Sequence, residues 1–149
     1  LNLLKLFGTE LDLYNITNIV RGKFWNLDEQ SISDLLVSHT SSTSDELLSK
    51  MISAENLKSS FMELSKTKFS EIIPSEADDI VMINEFEQKF DLFLYDSLLK
   101  EFANMFKLST VVSVVRLYDY EIRNLSSISY AVENNIPSDL VMSKIIASP

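Results

Sequence analysis

The chain has 149 residues, a formal net charge of −9 and a hydrophobic fraction of 46%. This length suits one domain, and the hydrophobic fraction is large enough to bury a core. An acidic chain repels the phosphate backbone, which argues against general nucleic-acid binding. The sequence has no Cys and one His, His39, which excludes disulfides, thiolate metal sites and His-rich metal centres. No stretch approaches the roughly 18 apolar residues of a membrane-spanning helix.

Helical periodicity dominates the N-terminal part of the chain. The apolar residues 1–7 are followed by Gly8, which predicts a short helix that stops there. Thr9 and Asp12 have the spacing of a capping box, and this predicts a second helix that continues to about Lys23. Its buried face would consist of Leu13, Ile16, Ile19 and Val20.

Two short helices and a polar connection are predicted next. Asp28 is placed to cap the first helix. Its inward-facing residues would be Ile32, Leu35 and Leu36. Residues 38–45 are polar and of low complexity, so we interpret them as an exposed linker, with His39 at the surface. Thr43 and Glu46 form a capping box that would open the second helix.

Ser53 is a candidate cap for a further helix with an apolar face made of Leu57, Phe61 and Leu64. Longer helices are predicted in the second half of the chain. Residues 77–106 predict a long amphipathic helix, and we interpret its aromatic stripe as core packing. The stripe consists of Ile83, Phe86, Phe90, Phe93, Leu94, Leu98, Phe102 and Met105. Residues 109–133 predict a second long helix, and Pro137 or Ser138 would start a last short one. The predicted fold class is therefore all-α, a helical domain of long amphipathic helices.

The predicted helix 109–133 carries a heptad seam with a charge in its middle. The members follow one another in alternating steps of three and four: Val111, Val114, Tyr118, Glu121, Leu125, Ile128 and Val132. Because burial raises the pKa of a carboxyl group, Glu121 could be catalytic or relay protons. Alternatively, it is a structural polar group bonded across a helix pair, which is the interpretation we favour.

Part of the sequence occurs twice. Residues 10–19 align without a gap on residues 119–128, at an offset of 109 positions. Both segments read acid, any residue, acid, apolar, any residue, Asn, apolar, hydroxyl, and both precede a turn and a short amphipathic helix. This agreement favours internal duplication of a multi-helix unit. We predict that residues 1–38 are the C-terminal part of one repeat and that residues 39–149 form a second, nearly complete repeat.

Four polar residues occupy equivalent places in the two segments: Asp12, Asn15, Glu121 and Asn124. In each segment the carboxylate and the Asn are three positions apart and share a helix face. We predict that they are structural polar pairs, and we predict no catalytic, cofactor-binding or metal-ligating residue. Arg123 is expected in solvent, with pairing to acids on a neighbouring helix as the alternative. Trp25 is expected in the core or at a domain junction, with an exposed partner anchor as the alternative.

Several stretches resemble a known family. Residues 116–125, with the short segment 136–139 that follows a turn, resemble the signature of the C subunit of archaeal A-type ATP synthases, a family that includes the d subunit of eukaryotic V-type ATPases. Residues 10–23 resemble the other copy of this signature in the family. Residues 67–73 and 87–95 are similar to two further family segments. Two departures are Asp119, where the family carries Lys, and Phe90, where it carries Leu.

The resemblance implies a mechanical function. Proteins of this family are non-catalytic funnels of α-helices between the membrane rotor ring and the central axle subunits, and they transmit torque in ion transport coupled to ATP. They are peripheral, on the cytoplasmic side of the membrane, and need no cofactor. Family members are more than twice as long, so this chain would correspond to their C-terminal part or to a fragment of it. Two other hypotheses remain open: a helical adaptor that binds a partner helix in a groove, and an enzyme that uses Asp12 and Glu121 as acid and base.

Overall fold

The computed structural model describes residues 2–38, 43–76, 78–103 and 107–147. These residues form seven α-helices and two 3-10 helices and contain no strand, so the predicted all-α class is confirmed. The α-helices are α1 (Asn2–Phe24), α2 (Glu29–Asp34), α3 (Asp45–Ser53), α4 (Leu57–Met62), α5 (Asp79–Phe102), α6 (Leu108–Glu133) and α7 (Ser138–Met142). The 3-10 helices are Glu63–Lys66 and Ser70–Ile72.

Helix α1 continues through Gly8 without a break. The predicted stop at Gly8 and the predicted cap at Thr9 are therefore wrong. A glycine inside a helix costs about 1 kcal/mol, and burial of one fully buried aliphatic side chain is worth more. Residues on one face of α1 are buried on both sides of this position: Leu6, Leu13, Ile16, Ile19 and Val20. Thr9 is itself buried, and its hydroxyl accepts a hydrogen bond of 2.9 Å from Lys68 Nζ.

The short helices are capped, but not always by the predicted residue. The Asp28 side chain accepts from the Ser31 backbone and caps α2 as predicted, whereas Leu35 is exposed rather than inward-facing. Ser44 caps α3 in place of Thr43, because the Thr43 side chain is engaged elsewhere. Asn56 caps α4, while the predicted cap, Ser53, lies inside α3.

The connection between α2 and α3 is less exposed than the sequence predicts. Ser38 and Ser44 are exposed, but Thr43 is buried. His39 lies outside the described residues. From α3 to the second 3-10 helix the segment contributes a continuous set of buried apolar residues: Leu48, Met51, Ile52, Leu57, Phe61, Leu64, Phe69 and Ile72.

The chain divides into two compact units, an N-terminal unit up to Phe90 and a C-terminal unit from Asp91 onwards. Helix α5 is shorter than predicted, and residues 77 and 104–106 lie outside the described part. In the N-terminal unit the Phe86 ring contacts Phe61, with centroids 5.1 Å apart. The core interpretation of the aromatic stripe holds at Phe86 but fails at Phe102, which is exposed.

Gly22 is required by the packing of α2 on α1. A Cβ atom at Gly22 would lie 2.7 Å from Ile32 Cγ1 and 3.1 Å from Ile32 Cδ1. At an offset of 109 positions, Gly22 corresponds to Ala131 and Ile32 corresponds to Val141. The larger residue on the long helix is therefore paired with a smaller residue on the short helix.

We predict that Gly22→Ala lowers the free energy of unfolding by about 1–2 kcal/mol, because overpacking outweighs the gain in helix propensity. Adding Ile32→Val should recover part of this loss, since Val lacks the Cδ1 atom. Urea denaturation of both single variants and the double variant measures the coupling free energy between the two substitutions. Strictly additive effects would show that the two side chains do not compete for space.

Glu85 ties the start of α5 to the preceding loop. Its carboxylate accepts hydrogen bonds from the Ser75 backbone and hydroxyl at 2.9 and 3.0 Å, and from the Glu76 backbone at 3.2 Å. Lys89 Nζ lies 2.9 Å from it. Desolvation by burial raises the pKa of Glu85, but the bonds from Lys89, Ser75 and Glu76 together outweigh this effect and lower the pKa to about 2.

A depressed folded-state pKa stabilises the fold above the ordinary value of 4.5, and this contribution is lost as the pH falls towards 2. We predict that Glu85→Gln lowers the free energy of unfolding by about 2 kcal/mol at pH 7 and by less at pH 3. Urea denaturation at both pH values measures the difference in the free energy of unfolding between the variant and the unaltered chain. Glu55→Gln, at an exposed position, is the control. A difference that stays constant or widens at low pH contradicts the prediction.

Candidate functional site

Asn15 fastens the chain that follows α2 back onto α1. Asn15 is fully buried, its Nδ2 donates to the Val37 carbonyl, and its Oδ1 accepts from the Val37 backbone N–H, both at 2.9 Å. The side-chain amide therefore satisfies both backbone polar groups of one residue. We call this paired bond the Asn15 clasp. It holds α1, α2 and the returning chain together as one unit.

Asn124 makes the same paired bond in the C-terminal unit. Its Nδ2 donates to the Ile146 carbonyl at 2.7 Å, and its Oδ1 accepts from the Ile146 backbone N–H at 3.0 Å. In this Asn124 clasp, as in the first, the partner lies 22 residues further along the chain. The predicted polar pairs thus contain two asparagines with the same bonding partners at the same spacing.

The turns enclosed by the two clasps also agree. Helices α1 and α6 end 109 positions apart, and each is followed by an Asn in the left-handed region, Asn26 with φ 55° and Asn135 with φ 53°. In each unit the residue after this Asn donates its backbone N–H to the carbonyl oxygen five positions earlier. That carbonyl belongs to Gly22 in α1 and to Ala131 in α6, and both bonds are 2.9 Å long. This geometry closes the C-terminal end of a helix by satisfying its last carbonyls.

Asp12 lies one turn before the first clasp and is fully buried. Its Oδ1 accepts from the Thr43 hydroxyl at 2.8 Å and from the Thr43 backbone at 3.3 Å, and its Oδ2 lies 3.6 Å from Lys68 Nζ. Burial lowers the pKa of Lys68, and the charge of Asp12 acts against this shift. A buried carboxylate needs such partners to offset the loss of solvation. Through these bonds Asp12 links α1 to the start of α3 and to the segment between the two 3-10 helices, which carries Lys68.

Glu121 has the opposite environment. The sequence places it in a seam where we predicted a bonded, buried carboxylate, but its side chain is exposed, so this expectation is wrong. It lines an open groove of about 450 Å³ in the C-terminal unit. The groove, which we call the α6 groove, is lined by Tyr95, Phe102, Val114, Leu117, Tyr118, Glu121, Asn124, Ile146 and Ala147.

The seam of α6 is exposed along most of its length. Five of its apolar members are exposed: Val111, Tyr118, Leu125, Ile128 and Val132. The side of α6 that is buried is a different one, which includes Ser113 and Tyr120. The Tyr120 ring packs edge-on against Tyr95 of α5, with centroids 5.6 Å apart. These side chains form an exposed apolar stripe along α6.

Asp91 of α5 organises the junction with α6. It accepts from the Tyr120 hydroxyl at 3.1 Å and from Arg123 Nη2 at 2.9 Å. These bonds raise the pKa of Arg123, chiefly through the hydrogen bond to Asp91. The expectation that Arg123 is merely solvated is wrong. Trp25 is exposed, so its predicted core packing is also wrong.

The chain matches a known protein family. Residues 2–144 match the sequence profile of the family described as ATP synthase (C/AC39) subunit. The chain belongs to this family. The resemblance to the C subunit of A-type enzymes and the d subunit of V-type enzymes is thereby confirmed, and the coarse function is that of an A/V-type ATPase component. No curated protein and no solved structure matches the chain significantly.

The described residues of this AC39-family chain offer neither a metal site nor a membrane span. No three His, Asp or Glu side chains among them come together in a group that could hold a metal ion. None of the described helices is long and apolar enough to cross a bilayer. Asp12 lies in the N-terminal unit and Glu121 in the C-terminal unit. The carboxylate of Asp12 is engaged by Thr43 and Lys68.

Some residues that bond to the predicted polar residues carry no local signal in the AC39-family sequence. Thr43 and Lys68 are ordinary polar residues in polar surroundings, and only the folded chain brings them to Asp12. Asp91 could have been found, because it falls in the segment 87–95 that resembles the family and lies on the same helix as a predicted core stripe.

The two carboxylates should respond differently to removal. We predict that Asp12→Ala lowers the free energy of unfolding by about 3 kcal/mol, because it leaves Lys68 and Thr43 without their buried partner. Glu121→Ala should change it by no more than about 0.5 kcal/mol, as expected for an exposed side chain. Urea denaturation at pH 7 measures both values. Equal losses in the two variants contradict the assignment.

Proposed function

We propose that the chain is a non-catalytic central-stalk component of a rotary A/V-type ATPase, which links the rotor axle to the membrane ring and transmits torque. The observation that carries this proposal is the family match over residues 2–144. In this proposal the partners are the ring and the axle subunits of the same complex. The chain lies peripherally on the cytoplasmic side, and its function requires no chemistry of its own.

Stiffness is the property that such a stalk component needs, and the chain has the means for it. Helices α1, α5 and α6 are 23, 24 and 26 residues long, which corresponds to about 35–39 Å each. The Asn15 clasp and the Asp12–Thr43 bonds tie α1 to later segments. The Asn124 clasp and the Asp91–Arg123 pair do the same for α6. A helix pinned at several points bends less under load.

The acidic charge fits docking on protein better than docking on lipid. A net charge of −9 is repelled by anionic headgroups, whereas it favours contact with basic loops of a partner. We therefore propose that the chain reaches the membrane through the ring and not through direct lipid contact.

We further propose that the chain carries two copies of one ancestral unit, with residues 1–38 as the end of one copy and residues 39–149 as the second. The support consists of the two clasps, the two left-handed asparagines and the two matching helix ends, all at an offset of 109 positions. Such a repeat would supply similar rods at two places in the stalk.

The alternative is a helical adaptor that binds a partner helix in a groove. The open α6 groove is the observation that favours it. An adaptor of this kind would bind one partner and would have no dependence on rotor subunits.

Affinity purification separates the two functions. We predict that a tagged chain, expressed in its source cells and purified from gently solubilised membranes, recovers the ring and axle subunits of the ATPase in constant ratio. The control is an untagged preparation. Recovery of a single partner without any rotor subunit would support the adaptor and contradict the stalk assignment.

A further inference from the structure

We propose that the two clasp asparagines, Asn15 and Asn124, are acceptors for N-linked glycosylation, and that a glycan on Asn15 is incompatible with the fold. The chain then reaches its folded state only where no oligosaccharyl transferase acts on it, which is the cytoplasmic side of the membrane. This inference goes beyond the proposed function, because it concerns where the chain is made and holds whether or not its partner is a rotor.

Both clasp asparagines lie in the acceptor motif, which is Asn, any residue except Pro, and Ser or Thr. Residues 15–17 read Asn-Ile-Thr, and residues 124–126 read Asn-Leu-Ser. No other asparagine in the sequence has Ser or Thr two positions later. The two motifs therefore coincide with the two clasps and occur nowhere else in the chain.

The hydroxyl residue of each motif takes no part in its clasp. The Thr17 hydroxyl donates to the Leu13 carbonyl of the same helix at 2.8 Å. Ser126 is exposed on α6. The clasps therefore require the asparagines but not the complete motifs, so the acceptor motifs can be removed at Thr17 and Ser126 while both clasps remain.

A glycan does not fit at Asn15. Transfer joins Nδ2 to the anomeric carbon of a sugar from a lipid-linked oligosaccharide, while the bond from that carbon to the phosphate of the donor breaks and Nδ2 loses one proton. The glycan is bulky and hydrophilic. Asn15 has no exposed surface, and its Nδ2 lies 2.9 Å from the Val37 carbonyl oxygen. Because a packed core has no space for a sugar, the modified side chain must leave its place and the clasp opens.

Asn124 has more room. Its Nδ2 lies 2.7 Å from the Ile146 carbonyl oxygen, but the residue is only half-buried. A glycan at Asn124 competes with the bond to Ile146 without having to enter a closed core. We therefore expect modification of Asn124 to destabilise the fold less than modification of Asn15.

Folding comes too late to protect Asn15 from the enzyme. Oligosaccharyl transferases act on the extended chain as it enters the lumen or leaves the cell. The Asn15 clasp needs Val37, which lies 22 residues further along the chain, so Asn15 passes the enzyme before its partner is in place. Secreted proteins carry this motif on surface loops. A motif at a position with no exposed surface suits a chain that never meets the enzyme.

Cell-free translation tests the proposal on the 149-residue chain placed behind a cleavable signal peptide. It is run with and without microsomes from the endoplasmic reticulum. With microsomes we expect modification of both asparagines, seen as two steps of lower gel mobility that an endoglycosidase reverses. After lysis of the microsomes, added protease should cleave the modified chain about tenfold or more faster than the chain made without microsomes, because cleavage follows the population of open molecules.

Variants that lack the motifs provide the matched control. Thr17→Val together with Ser126→Ala should stay unmodified with microsomes and resist protease as well as the chain made without them. Ser126→Ala alone keeps the Asn15 motif and should be nearly as sensitive as the doubly modified chain, whereas Thr17→Val alone should be less sensitive. Microsomes without the lipid-linked donor give a second control, which needs no substitution, and the unaltered chain should fold there.

Three results would each overturn the proposal. The first is no modification of Asn15 in the microsomes. The second is a modified chain that resists protease as well as the unmodified one. The third is equal sensitivity of the unaltered chain in microsomes with and without the donor, which would assign the effect to the lumen and not to the glycan. None of these results bears on the stalk assignment, which the affinity purification tests.

Discussion

The packing of each unit depends on one asparagine side chain. This side chain forms the hydrogen bonds that a neighbouring segment of backbone would otherwise supply. An Asn amide presents one acceptor and two donors on a short, stiff stem, so it can bind both the N–H and the C=O of a single residue. Asn15 and Asn124 do this for Val37 and Ile146. Each bond pair anchors a non-helical segment to the long helix and satisfies backbone polar groups that no helix or strand satisfies.

The sequence predicts these anchors but not their surroundings. The spacing of carboxylate, Asn and hydroxyl singled out both asparagines, since side chains three or four apart share a helix face. The same pattern also predicts similar burial for Asp12 and Glu121, and there it fails. Burial depends on what covers a helix face, and Thr43 and Lys68 reach Asp12 from 31 and 56 positions away. Local propensity failed at Gly8 for a related reason, because tertiary burial outweighed a cost of about 1 kcal/mol.

The two units differ in how the corresponding face of the long helix is covered. In the N-terminal unit the cover over α1 is complete, with Asp12 bonded and its apolar face buried. In the C-terminal unit the corresponding face of α6 is open and carries an exposed carboxylate. The difference between the two units therefore lies in the cover over this helix face and not in the apolar character of the face itself.

Hydrogen exchange at two backbone amides tests the clasps most directly. The N–H groups of Val37 and Ile146 lie outside any helix, so exchange there is slow only if the asparagine bonds form. Asn15→Ala should speed exchange at Val37 by about tenfold or more and leave Ile146 unchanged, and Asn124→Ala should do the reverse. Fast exchange at both amides in the unaltered chain, or equal acceleration at both by either variant, would contradict the central role given to the clasps.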